Sequence, residues 1–161
     1  MKVWVGTSGY SYPEWKGSFY PEKLPAAKML GFYAERFKTV EINATFYRMP
    51  TEKLLAGWAA TVPAGFRFVL KASRRISHDK RLLGVEEAVA YFLTTAASLG
   101  DKLGPLLVQL PPNFKQDVPR LAAFLELIPR ERRVAFEFRH ASWYDDAVFE
   151  ALRARGAALC V

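Results

Sequence analysis

Glu41, Asn43, Lys71, Gln109, Glu137 and Arg139 interrupt short β-branched and aromatic runs at every second position. Val40 and Ile42 alternate with Glu41 and Asn43, Phe68 and Leu70 with Val69 and Lys71, Val108 and Leu110 with Gln109, and Phe136 and Phe138 with Glu137 and Arg139. A period of two sends each set to its own face of a strand, so the polar groups collect on one lining. Glu41 and Glu137 suit general acid-base work or metal binding. Lys71 and Arg139 suit an anionic group, the arginine through its bidentate fork. Gly6 and Ser8 join this lining from an earlier run. Unpaired buried charges are costly, so the lining either neutralises itself in ion pairs or meets a ligand.

His140 directly follows Arg139, where it either orients a loop or titrates in chemistry. Aromatic residues crowd the expected loops: Tyr10, Tyr12, Trp15, Phe19 and Tyr20, then Phe46 and Tyr47, then Trp143 and Tyr144. Such rings either close over a core or, beside Arg48, Arg74 and Arg75, stack bases and sugars. A basic cluster runs through Arg67, Lys71, Arg74, Arg75, His78, Lys80 and Arg81, opposed only by Asp79. No Walker loop, His-Glu-x-x-His, Gly-x-Ser-x-Gly or Cys-x-x-Cys occurs, which weakens the NTPase, zincin and α/β-hydrolase readings.

The elements that must position these groups alternate in type. Strand-like runs fall at Val3–Val5, Thr39–Asn43, Phe66–Ala72, Leu106–Leu110, Val134–Phe138 and Ala157–Val161. Between them lie helical faces: Met29, Leu30, Tyr33 and Phe37, then Val85, Val89, Phe92, Ala96 and Leu99, then Leu121, Phe124, Leu125 and Ile128. Thr51 and Asp117 are placed as N-caps, Gly100 and Gly156 as glycines just past helix ends. Strand starts recur every 31 residues or so, and eight such units make the roughly 250 residues of a (β/α)8 barrel. The expectation is one α/β domain over 1–161. It would be of (β/α)8 TIM-barrel type, C-terminally truncated after about five and a half βα units and prone to self-association through open sheet edges. The alternative is an open doubly wound sheet, disfavoured because no Gly-x-Gly-x-x-Gly turn follows a strand.

With 161 residues, 51% of them apolar, the chain can build a core, which excludes a disordered polymer. The excess of 23 Lys and Arg over 16 Asp and Glu gives +7, a field that attracts phosphates, nucleic acid or anionic metabolites. Cys160 is the lone cysteine, so neither an intrachain disulfide nor a multi-cysteine zinc site can form. No apolar run approaches the ~20 residues that span a bilayer, and Met1–Gly6 shows no signal-peptide pattern. A cytoplasmic protein without a membrane partner is expected.

Several motifs together resemble the YecE-like family, the domain of unknown function 72. These are Val5-Gly-Thr-Ser-Gly-Tyr10 with Trp15 and Phe19-Tyr20-Pro21, Val40-Glu-Ile-Asn-Ala-Thr-Phe-Tyr47, Phe68-Val-Leu-Lys71, Leu107-Val-Gln-Leu-Pro-Pro112, and Phe136-Glu-Phe-Arg-His140 with Ser142-Trp143. The resemblance implies a TIM barrel whose full members carry two further strands, and it brings no established reaction. Likeness of that barrel to metal-dependent sugar isomerases and apurinic-site endonucleases suggests sugar-phosphate or nucleic-acid chemistry by fold analogy. The chain departs from the nuclease pattern in having only two histidines, His78 and His140.

The expected function is an enzyme-like barrel that binds an anionic, phosphate-bearing ligand at its C-terminal mouth. Glu41, Glu137 and His140 are the catalytic candidates. Ser8, Tyr10, Asn43, Lys71, Gln109, Arg139 and Trp143 are the ligand contacts, and a divalent metal is the candidate cofactor. The alternative is a non-catalytic nucleic-acid-binding module using Arg74–Arg81 and the loop aromatics.

Overall fold

The apolar half of each alternating run is what the fold buries: Val40, Ile42, Phe68, Leu70, Val108 and Phe136 are all inaccessible to solvent or nearly so. In the computed structural model, which describes residues 3–161, these runs form one parallel sheet. Its strands are Thr39–Ile42 (β1), Arg67–Lys71 (β2), Leu103–Gln109 (β3), Val134–Glu137 (β4) and Ala158–Cys160 (β5), hydrogen-bonded in chain order. Parallel neighbours need crossovers, and helices supply them. Ala26–Arg36 (α1) precedes β1. Ala44–Tyr47 (α2) and Glu52–Thr61 (α3) link β1 to β2, Glu86–Ala96 (α4) leads to β3, Val118–Glu126 (α5) to β4, and Asp146–Arg155 (α6) to β5. The order never reverses, so the sheet lacks the switch point of a doubly wound fold. Nor is the sheet closed among the described residues: β1 and β5 are its two ends.

The helical periodicities land as the sequence implies. Met29, Leu30 and Tyr33 of α1, Val89, Phe92 and Ala96 of α4, and Leu121, Phe124 and Leu125 of α5 enter one continuous core with the strands. Thr51 Oγ1 accepts the Leu54 amide and Asp117 Oδ1 the Arg120 amide, each satisfying an orphan donor of the first turn. Gly156 takes the left-handed conformation past α6, at φ 64° and ψ 27°. Gly100 does not. Its ψ of −133° belongs to a kink in the 3-10 segment Ala97–Lys102, which carries the chain from α4 to a β3 starting three residues before the expected Leu106.

One expected strand is absent. Val3–Val5 is irregular and exposed, Val3 at 68% and Val5 at 64%, because β-branched residues favour a strand only where a neighbour completes the ladder. Met1 and Lys2, which the sequence reading included in the domain and tested for a leader, lie outside the described residues. The chain instead touches β1 at a single parallel bridge, Ser8 to Glu41, where the Glu41 amide donates to the Thr7 carbonyl (3.0 Å) and the Gly9 amide to the Glu41 carbonyl (2.8 Å). Gly6 makes that approach feasible, since a Cβ there would run into the Thr39 carbonyl. Gly6→Ala should therefore lower stability by about 1–3 kcal/mol through forced displacement of this segment. Chemical denaturation checks it; an unchanged midpoint would show that the segment yields freely.

Candidate functional site

The polar face of the sheet is built from the centre outward. Register places Gln109, Glu137 and Cys160 side by side on β3, β4 and β5. Gln109 Nε2 donates to Glu137 Oε2 at 2.9 Å, and the Arg139 guanidinium pairs with Glu137 Oε1, so both carboxylate oxygens are engaged. Arg139 lies just past β4 with its side chain 54% exposed against 18% for Glu137, which leaves much of its fork facing solvent. The Cys160 thiol is pushed above its ordinary value by burial, then by the charges of Glu137 and Glu41, while Arg139 and Lys71 oppose the rise. Coulomb effects fade with distance, so charges carried by β1, β2 and the end of β4 all acting on one thiol of β5 mark a common face. A thiol held protonated in this way is a poor nucleophile at neutral pH.

At the other end of the sheet the Ser8 bridge carries chemistry as well as backbone. Asn43 Nδ2 donates to Ser8 Oγ at 2.6 Å, and Ser8 Oγ donates to Glu41 Oε1 at 2.9 Å, a relay from amide to hydroxyl to carboxylate. Asn43 sits one residue beyond β1, where it begins α2. The buried Thr45 hydroxyl lies between the Ile42 and Lys71 carbonyls, at 2.9 and 2.7 Å, and ties α2 to the ends of β1 and β2. That fixes Phe46, whose ring centre is 5.3 Å from Lys71 Nζ. Among the described residues the Lys71 ammonium makes no ion pair and no hydrogen bond. The lining thus pairs Arg139 with Glu137 and leaves Lys71 and Glu41 each without a direct ion pair among the described residues.

His140 is committed to its loop. Its Nδ1 accepts the Ser142 amide at 3.1 Å and lies 2.9 Å from Ser142 Oγ, which itself accepts the Gln116 amide at 2.8 Å. This network assigns the ring proton to Nε2 and makes His140 the cap of the 3-10 turn Ala141–Trp143. The Trp143 indole, expected to meet a ligand, is instead fully buried. It stacks on Phe138 with ring centres 4.9 Å apart, and Nε1 donates to the Phe114 carbonyl at 2.6 Å. A large ring with a satisfied donor gains more from the core than from solvent. Tyr10 is also drawn inward, packed near Tyr33 with ring centres 6.2 Å apart, and burial raises its phenol above the ordinary value.

The structure therefore gathers Ser8, Glu41, Asn43, Lys71, Gln109, Glu137 and Arg139 on one face at the C-terminal strand ends. His140 stands at its rim, while Trp143 and Tyr10 support it from the core. Sequence reasoning had no signal for Thr45, and it placed His78 only within a basic run. Among the described residues no three His, Cys, Asp or Glu side chains gather as a metal-holding cluster, so Glu41 and Glu137 stand as separate carboxylates. No helix among the described residues is long and apolar enough to cross a membrane.

A singly wound parallel sheet with helical crossovers and a charged, amide-bearing face at its C-terminal strand ends defines an α/β protein. The chain belongs to the family described as Protein of unknown function DUF72, which matches residues 4–161. It is 30% identical over 155 residues to the UPF0759 protein YecE of Escherichia coli K12, covering 96% of this chain and 54% of that protein. It is 27% identical over 160 residues to the UPF0759 protein YunF of Bacillus subtilis, covering 92% of this chain and 54% of that one. The chain thus spans about half the length of the curated relatives it matches. A DUF72 family crystal structure from Thermotoga maritima superposes with a TM-score of 0.86 at 32% identity, over 99% of this chain and 64% of that one. One from Enterococcus faecalis gives 0.82 at 24% identity, over 98% and 60%.

Proposed function

We propose that this sheet is an arc of a (β/α)8-type barrel that binds an anionic, phosphate-bearing small molecule at the C-terminal ends of its strands. Strand order supports the barrel reading, because a sheet wound in one direction places every crossover on the same side. The observation that carries the ligand reading is Lys71: a half-buried ammonium that makes no direct ion pair among the described residues, while Arg139 on the same face is already paired with Glu137. Such a cation is most stable opposite an anion. Lys71 and Arg139 hold the anion, Gln109 and Asn43 offer amide donors, and Glu41 and Glu137 are the acid-base carboxylates. An enzyme working on sugar-phosphate or nucleic-acid chemistry fits this set.

Sulfate is the direct probe, since its charge stays constant through the neutral range. Binding should be measurable by calorimetry. Arg139→Ala should weaken it roughly two- to fivefold, a small loss because this guanidinium is half exposed and already shared with Glu137. Glu137→Gln removes a negative charge and releases Arg139, so it should tighten sulfate by a similar factor. If both variants bind sulfate like the parent, the site assignment is wrong. Steep loss of affinity for single-stranded nucleic acid with salt, without sulfate competition, would favour the nucleic-acid-binding module instead.

A further inference from the structure

The loop that follows β2 is held in an unusual shape. Residues Arg75–Asp79 form a π-helical turn, and Arg81 and Leu82 are both left-handed, with φ of 48° and 67°. Two successive non-glycine residues in that region are costly, and such features persist only where the surroundings over-determine them. Here they do: Ile76, Ser77 and Leu82 are buried, and the Leu82 amide donates to the Ile76 carbonyl at 3.0 Å. The outcome is the placement of His78. Its Nδ1 lies 2.9 Å from the buried Ser77 hydroxyl, and its ring meets Phe46 edge-on with centres 4.8 Å apart. Phe46 is the same ring that Lys71 approaches. One aromatic platform on α2 therefore brings a histidine from the loop and an unpaired ammonium from β2 together.

We propose that His78 is a further cationic contact of the anion site: it binds as imidazolium beside Lys71 and favours multiply charged tetrahedral oxyanions such as phosphate esters. This rests on the anion-site reading above. The charged groups acting on the imidazole are Lys71 of β2 and, on its own turn, Arg74 and Asp79, which pair with each other at 3.2 Å. The α2 side contributes the uncharged Phe46. Burial first, then Lys71 and Arg74, hold the imidazole below its ordinary value, and Asp79 opposes them. These groups disfavour the imidazolium when no anion faces the ring. An oxyanion that screens Lys71 and accepts the imidazole proton reverses the balance, so binding and protonation reinforce each other.

The test is the titration of the two imidazoles by NMR, with and without sulfate, the His78→Gln variant assigning the signals. Sulfate should move the His78 midpoint up by about half a pH unit, which by linkage means roughly threefold tighter binding of sulfate below that midpoint than above it. His78→Gln should flatten this pH dependence. Sulfate that binds and depends on Lys71 but leaves the His78 midpoint in place overturns this inference alone. Absence of any sulfate binding overturns it together with the anion site.

Discussion

Trp143→Ala is expected to destabilise the protein by about 3–5 kcal/mol, the range for removing a large aromatic side chain from a core. The indole is fully buried, lies parallel to Phe138 and meets Phe114 edge-on with centres 5.3 Å apart. Its Nε1 supplies a hydrogen bond to the Phe114 carbonyl, and truncation would leave that acceptor without it. Trp143→Phe is the milder change, because it keeps a ring against Phe138 while losing the Nε1–H donor and the volume of the second ring. Its cost should be about 1–3 kcal/mol. The loss also reaches the site. Trp143 ends the turn that His140 caps, and Ser142 of that turn accepts the Gln116 amide, so loosening the indole frees the loop beside Arg139. Urea denaturation reads the stability. A loss below ~1 kcal/mol would mean that the ring is replaceable by its surroundings and does not anchor the turn.

The contrast between the strands and the aromatics shows what local sequence can encode. Alternation in Val40-Glu41-Ile42 or Phe136-Glu137-Phe138 translates into faces because the strand period is two and one face is buried, so Glu41, Gln109 and Glu137 were placed correctly from spacing. Val3 and Val5 have the same composition, yet strand formation there depends on a pairing partner, which no local pattern reports. Trp143 and Tyr10 are a different case. A loop aromatic serves a core or a ligand according to which way the loop folds, and that is decided by distant residues such as Phe114 and Tyr33. His78 was hidden for the same reason: its neighbour on the structure is Phe46, thirty-two positions away, and its orientation depends on left-handed residues that are not glycines. Asn43 was assigned to a strand and sits instead at the start of α2, but its partner Ser8 keeps it beside Glu41 all the same.

Lys71→Ala should produce the largest functional effect of any single change on this face, weakening sulfate roughly 10- to 100-fold, the worth of one charge-assisted hydrogen bond. Magnitude separates it from Arg139. The guanidinium is half exposed and spends part of its charge on Glu137, whereas the ammonium is half-buried and makes no ion pair among the described residues. An anion arriving at Lys71 therefore meets an ammonium that no carboxylate of the described residues engages directly, beside the low-dielectric ring of Phe46. Stability should move the opposite way. Removing an unpaired, partly desolvated cation relieves a cost, so Lys71→Ala should leave the unfolding midpoint unchanged or raise it slightly in the absence of anion. The pair of readouts is the point of the experiment. Loss of both sulfate affinity and stability would mean that the ammonium holds the fold together, and the anion site would lose the residue on which it rests.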